Sequence, residues 1–508
     1  MTQLRVVLIK PSKYGIDGSV ERFKKGYLPN ATLYHIASLT PERIGNVKVV
    51  VHIVDEYVWT DLSYLQWLHH DSNVITLLAL VGVQSHQFHR ALDLAAYARH
   101  NGILHCIIGG PHPMTCDTTS LQGRGVSFAL AEAELIWYQI LEDALAGELR
   151  PVYGADHRWA EQLPNVVINP PKPEELARYR APLLGLYPVR GCPYQCNYCS
   201  VIKISGRQVR SPSIESTLES LRRAKRAGVK LIMYVSDNFN KFPEVRELLH
   251  AMIDERLNLQ FFCQCDTQVA SDPELIELLA RARCYEMFVG VESFNRKTLK
   301  EAGKYHNHPR QYADIIQLCN VAGIRPHFSN IIGFPGDDEE DIQHHLEILK
   351  TVHPKVASFF ILTPIPGTEQ YDTYRKAGWI TELNLDRFDA TCLTWQHPHL
   401  TAKQLEDLLY HCYVKYHAYV LRAGGLSDDD RGIALFNRYA AASRMHPMAG
   451  GIDPLRLDTL IDYAALRRSV YDIDLAPLPD NLVLSGYDES LNRRVRWKAK
   501  FPVDIVST

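Results

Sequence analysis

The chain has 508 residues, of which 46% are hydrophobic and 22% charged, with a formal net charge of −3. That length exceeds one ordinary domain and predicts two or three. The composition is that of a globular protein, the charge gives no reason to expect a nucleic-acid partner, and no apolar run reaches the ~18 residues of a membrane span. Eleven cysteines are an odd count, scattered except for one trio. That argues against a secreted disulfide framework and for a reducing cytoplasm. The first residues run straight into a strand-like segment without a signal-peptide pattern.

Residues 1–150 alternate strand and helix. Arg5–Pro11, Val47–Asp55, Val74–Leu80, His105–Ile108 and Val126–Leu130 read as strands, and Phe88–His100 and Ala133–Leu145 as helices. The alternation predicts a doubly wound parallel sheet, an α/β fold that binds ligands beyond its C-terminal strand ends. Those ends carry residues 11–15, Gly82-Val83-Gln84-Ser85, Gly109-Gly110-Pro111-His112-Pro113 and Ala131-Glu132-Ala133-Glu134. The glycines either serve a ligand cleft or simply make tight turns. His86, His89 and His112 lie near the expected cleft and read as lining or surface residues rather than metal ligands.

Residues 151–183 form a linker, Pro-rich from Gln162 to Pro182. Leu184–Val189 then reads as the strand that delivers Gly191-Cys192-Pro193-Tyr194-Gln195-Cys196-Asn197-Tyr198-Cys199. Three thiols at C-x3-C-x2-C spacing can wrap one metal centre from a single loop. A [4Fe–4S] cluster takes four thiolates, so three would leave one iron open. A structural zinc ion would want a fourth Cys or His, for which Cys263 and Cys265 compete. Tyr198 is placed to stack on a planar group.

From residue 184 to 385 the period is strand, loop, helix. Strands are expected at Leu231–Val235, Gln260–Cys265, Tyr285–Ser293, Pro326–Ile332 and Ala357–Leu362. Helices are expected at Ser213–Ala227, Pro243–Glu255, Asp272–Arg283, Gln311–Ala322 and Glu339–Thr351. Six units predict a partial (β/α)6 barrel with its chemistry at the C-terminal strand ends. Those ends carry Ser236-Asp237-Asn238, Glu292 and Gly333-Phe334-Pro335-Gly336. Cys263 and Cys265 share one strand face and read as packing thiols. Residues 386–508 are expected to be mainly helical and to cap the barrel mouth. Helices are expected at Thr401–Leu421, with a core stripe of Tyr410, Tyr413, Tyr416 and Tyr419, and at Asp430–Ser443, with a polar tail from Pro477. Asp389, Cys392, Trp395 and His397 are candidate pocket residues.

The cysteine loop resembles that of the radical S-adenosylmethionine (SAM) enzymes. The order of turns in residues 1–150 resembles the cobalamin-binding domain that precedes the barrel in one large subfamily. Gly-Gly-Pro-His-Pro is the best match there, and Leu39-Thr40-Pro41-Glu42 a second. The resemblance implies a [4Fe–4S] cluster on Cys192, Cys196 and Cys199. It implies SAM held near Tyr198, Ser236, Asp237, Asn238, Glu292, Gly333 and Gly336, with Arg207 or Arg210 pairing with its carboxylate or with substrate. Cobalamin would lie against Gly82, Gln84, Ser85, Gly109, Gly110, Pro111, His112 and Glu132. Two departures stand out. No D-x-H-x-x-G marks an axial histidine, and Ala131 and Ala133 replace the glycines of a Gly-Glu-Gly-Glu turn, which should narrow the cleft. The activity implied is cytoplasmic methylation of an unactivated carbon through a 5′-deoxyadenosyl radical, fed by a reductase, flavodoxin or ferredoxin. The substrate would be a small molecule, natural product or lipid. The alternatives are non-methylating radical chemistry, such as cyclisation or carbon–carbon coupling with or without cobalamin, and a non-catalytic electron carrier.

Overall fold

Two sheets carry the chain. The computed structural model describes residues 3–445, apart from 15–19, 62 and 425; the expected polar tail lies outside the described residues. The first sheet has seven strands: β1 Gln3–Lys10, β2 Arg43–Ile44, β3 Val47–Asp55, β4 Val74–Leu80, β5 His105–Gly109, β6 Ser127–Ala129 and β7 Val152–Tyr153. Their order is β2-β3-β1-β4-β5-β6-β7. All pairs are parallel except β2 with β3. The interior strand β1 is buried along nearly its whole length, because helices cover both faces of such a sheet.

The second sheet comprises β8 Leu183–Leu186, β9 Leu231–Tyr234, β10 Gln260–Cys265, β11 Cys284–Glu292, β12 Arg325–Ile332 and β13 Val356–Ile361. Each pairs in parallel with its chain neighbour, and β8 and β13 are edges that do not meet. The result is an open six-stranded barrel. Alternation sorts its residues. In β10, Phe261, Cys263 and Cys265 are buried in the core beneath the outer helices, whereas Phe262 and Gln264 are only partly buried. Cys263 lies 4.0 Å from Cys265 and 3.8 Å from Cys284, sulfur to sulfur, as expected of packing thiols.

The helix Ala31–Leu39 was not anticipated. Asn30 caps it by accepting from Thr32 and Leu33, and Pro41 follows its end, so its signals were local but sparse. It joins the two sheets. A Cβ on Gly185 of β8 would stand 2.4 Å from the Ala31 Cβ. Valine at Gly185 is therefore expected to push this helix off the barrel. Overpacking of this kind costs about 1–3 kcal/mol, readable as a lower urea midpoint than wild type.

The C-terminal helices correct an expectation. Ala402–Ala423 packs on β13 and on the helix Glu339–Val352, and Asp428–Met445 packs back on Ala402–Ala423. Asp430 receives Arg325 at 2.7 Å and Lys355 at 3.2 Å, at the N-terminal ends of β12 and β13. These helices thus cover the side and floor of the barrel, with Leu405 reaching Gly333 at its mouth; the rest of the expected cap, residues 446–508, lies outside the described residues. The aromatic stripe lies in the core as read: Tyr410 and Tyr416 are buried, and Tyr416 packs on Phe359. No helix among the described residues is long and apolar enough to cross a membrane.

Candidate active site

The cysteine loop leaves β8 at the barrel mouth. Gly191 adopts φ +94°, and a Cβ there would lie 2.0 Å from the Gln208 carbonyl oxygen, so only glycine fits. The two stems are tied by reciprocal backbone bonds of 2.9 Å between Arg190 and Arg210. Asp237 accepts the Gly191 N–H at 2.7 Å. Cys192 N donates to Gly206 O, Asn197 N to Ala302 O, and Gln370 N to Asn197 O. The loop is thus fastened to four neighbouring segments.

Cys196 is buried, and Cys192 and Cys199 are partly so. Burial pushes Cys196 up to about 11 and Cys199 up to about 12, and the other thiols of the trio add to both shifts. A metal bound by these thiols would reverse the shifts by ionising its ligands. Among the described residues no group of His, Cys, Asp and Glu gathers around a single ion.

Beside the loop, Glu292 is buried at φ +61°. It accepts from Lys304 at 2.6 Å and from Ser329 at 3.3 Å. Tyr198 packs with Phe334, Leu362 and Trp395. Tyr194 stacks on His306 with ring centroids 3.5 Å apart. Gly333 lies in a turn closed by Asp337, which accepts both the Gly333 and Phe334 N–H groups.

A cavity of about 510 Å³ opens between the two sheets. From the first sheet come Lys10, Gly82, Gln84, Gly109, Gly110, Pro111 and the turn Ala131–Glu134. From the barrel come Gly185, Tyr187, Arg190, Met233, Val235, Ser236, Asp237 and Gln264. Thr32, His35, Ile136, Trp137 and Ile140 complete the wall. The volume is that of an ordinary ligand site. Ala131 and Ala133 line the cavity without closing it, so the expected narrowing does not shut the cleft.

Several expectations are corrected. Ser85 and His112 are buried behind the cavity and bonded to each other at 3.0 Å; His112 stacks on Phe88, and burial drives it down to about 3. Arg210 is committed elsewhere, because its two terminal nitrogens bind Glu132 at 2.8 Å and also the Ala160 and Ser205 carbonyls. The Glu132 carboxylate is consumed by the same pairing. Exposed Arg207 braces the loop at Pro193 O (3.0 Å). Asn238 bonds Asp266 and also faces the Cys192 thiol, and Gly336 is exposed with open space around it. Asp389 pairs with Lys13. Trp395 donates to Leu362 O at 3.0 Å, His397 bonds Phe334 O at 2.9 Å, and Cys392 is fully buried. These four brace the barrel without lining the cavity.

Sequence reasoning missed Lys10, His35, Tyr187 and Arg190. Lys10 donates to Gln87 at 2.6 Å and to Gly82 O, and burial, opposed by Asp55, lowers it to about 8. Arg190, immediately before the glycine of the loop, was the one with a local signal. It reaches Glu134 at 2.7 Å, and Glu134 also bonds His35 at 2.6 Å. Burial opposes ionisation of Glu134, but the guanidinium and imidazole hold its carboxyl well below the usual range.

The Radical SAM superfamily matches residues 186–349. The chain is similar to the bacteriochlorophyllide d C-12(1)-methyltransferase of Chlorobaculum tepidum, 26% identical over 56% of this chain and 62% of that one. It therefore spans less than two thirds of that relative. It is also similar to the bacteriochlorophyllide d C-8(2)-methyltransferase of the same organism, 25% identical over 74% of this chain and 83% of that one. The radical SAM methyltransferase TsrM from Kitasatospora setae, solved with cobalamin and a [4Fe-4S] cluster bound, aligns with a TM-score of 0.63 at 14% identity, covering 92% of this chain and 99% of that one. The three-cysteine loop at the mouth of an open six-stranded barrel, the family match over that barrel and the likeness of both sheets to TsrM agree: residues 186–349 are a Radical SAM domain, and the chain has the fold of TsrM.

Proposed function

We propose that the protein is a cobalamin-dependent radical SAM enzyme that methylates an unactivated carbon of a small molecule. One observation carries the reading: a single cavity is lined by the strand-end turns of the first sheet and by the barrel strands beside the cysteine loop. Two cofactors held one on each side would face each other across it.

Cys192, Cys196 and Cys199 would hold the cluster. Tyr198, Ser236, Asp237 and Glu292 would hold SAM. Gly82, Gln84, Gly109, Gly110 and Pro111 would cradle cobalamin, since they line the first-sheet side of the cavity. When bound, the cluster supplies the electron that cleaves SAM to a 5′-deoxyadenosyl radical, and cobalamin supplies the methyl group. The chain's own task is placement. Gly191 and Asp237 fix the loop, Lys304 orients Glu292, and the apolar wall of Ile136, Trp137, Ile140 and Met233 excludes water. A reducing cytoplasm and a flavodoxin- or ferredoxin-type donor are parts of the same reading.

Anaerobic purification with cobalamin supplied during expression tests it. We expect about four irons and one cobalt per chain, and a product heavier by one methylene. Four irons without cobalt, or a product lighter by two hydrogens, would favour non-methylating radical chemistry.

A further inference from the structure

The stems of the cysteine loop are anchored on the other sheet. Arg190 stands two residues before Cys192, and Arg210 is its backbone partner. Both guanidiniums enter one acidic turn. Glu132 takes Arg210 at 2.8 Å and Arg190 at 3.4 Å, and Glu134 takes Arg190 at 2.7 Å and His35 at 2.6 Å. The four charged side chains are at most 14% exposed. Two carboxylates against two guanidiniums leave the group near neutrality, and solvent is too far removed to replace a missing partner. Apolar contacts alone would hold two sheets together; they would not fix both stems of one loop to one turn.

We propose that Glu132 and Glu134 are positioning residues for the iron–sulfur loop, setting its place relative to the inter-sheet cavity and balancing the arginine charge beside the cluster. They act through Arg190 and Arg210 rather than on cofactor. The inference rests on the functional reading above. It assigns the acidic turn a role toward the barrel, where the resemblance implied one toward cobalamin.

Glu134→Gln is the test, because it keeps the shape and removes one negative charge. Uncompensated positive charge beside the cluster favours its one-electron reduced form. In the intact chain with cobalamin loaded, we expect the cluster midpoint potential, from a redox titration followed by electron paramagnetic resonance, to rise by roughly 59 mV, a tenfold change in that equilibrium. We expect 5′-deoxyadenosine formation with dithionite to slow about tenfold, iron content and cobalamin affinity to stay at wild-type values, and Glu134→Asp to restore most of the rate. Loss of iron with cobalamin affinity and melting midpoint kept would equally support a role in placing the loop. Unchanged potential and rate would overturn the proposal, as would joint loss of iron, cobalamin and fold, which is the behaviour of a merely structural ion pair. Wild type is measured in parallel: if it holds no cluster, the functional reading itself fails.

Discussion

Alanine in place of Cys192, Cys196 or Cys199 is expected to abolish iron loading and to reduce 5′-deoxyadenosine formation to the uncatalysed background. A cubane with three protein ligands already has one open iron, and losing a second ligand leaves too little to hold it. The sheet domain should be untouched, because the loop contributes no strand to it: cobalamin binding should persist in all three variants. Cys263→Ala is the control. Its sulfur lies in the core of the barrel wall near Cys265 and Cys284, so it should lower stability by a modest amount and leave iron content at the wild-type value. Iron analysis, the visible absorption of the cluster and product assays read all of these. Full iron in any of the three loop variants would sink the cluster assignment.

The largest loss of stability is expected at Glu56. It is fully buried and accepts from Arg90 through Nε at 3.0 Å and through a second, shorter bond. It also receives Arg22 at 3.0 Å, Tyr64 at 2.6 Å and the Ser12 N–H at 3.0 Å. Glu56→Ala would leave the Arg90 charge buried without its carboxylate, which costs about 3–5 kcal/mol, against a typical total of about 5–15 kcal/mol. The pH dependence has a definite sign. Burial raises the carboxyl, but Arg90 outweighs it and holds Glu56 down at about 2, against 4.5 when unfolded. A depressed native value contributes stability that is complete above pH 4.5 and is lost as pH falls toward 2. Urea midpoints should therefore drop between those values in wild type, and the drop should be smaller in Glu56→Ala. Equal slopes in the two proteins would show that Glu56 does not carry the acid response.

The sequence by itself determined whatever is written in local periodicity and spacing. Eleven strands and the main helices were legible because alternating burial and capping residues act within a few positions: Ser213 caps its helix as read, and Cys263 and Cys265 share a face because strand geometry requires it. The cysteine loop was legible for the same reason, since its three thiols come from eight consecutive residues. The short strands β2 and β7 and the helix Ala31–Leu39 were missed, having little length or pattern to announce them.

Only the tertiary structure decided which candidates meet. Arg210 and Glu132 are 78 positions apart, and Arg190 and Glu134 are 56 apart; no local pattern distinguishes an arginine that waits for a ligand from one already spent on a distant carboxylate. His112 sits in a turn that points to a cleft, yet packing against Phe88 and Ser85 buries it behind that cleft. The C-terminal helices have a readable apolar face, but a face does not say whether it covers the mouth of a barrel or its side. Above all, each sheet alone offers a row of strand ends, and a ligand cavity exists because the two rows close on each other. That closure depends on contacts such as Ala31 against Gly185, 154 residues apart, where absence of a side chain is the signal and folding is needed to reveal it.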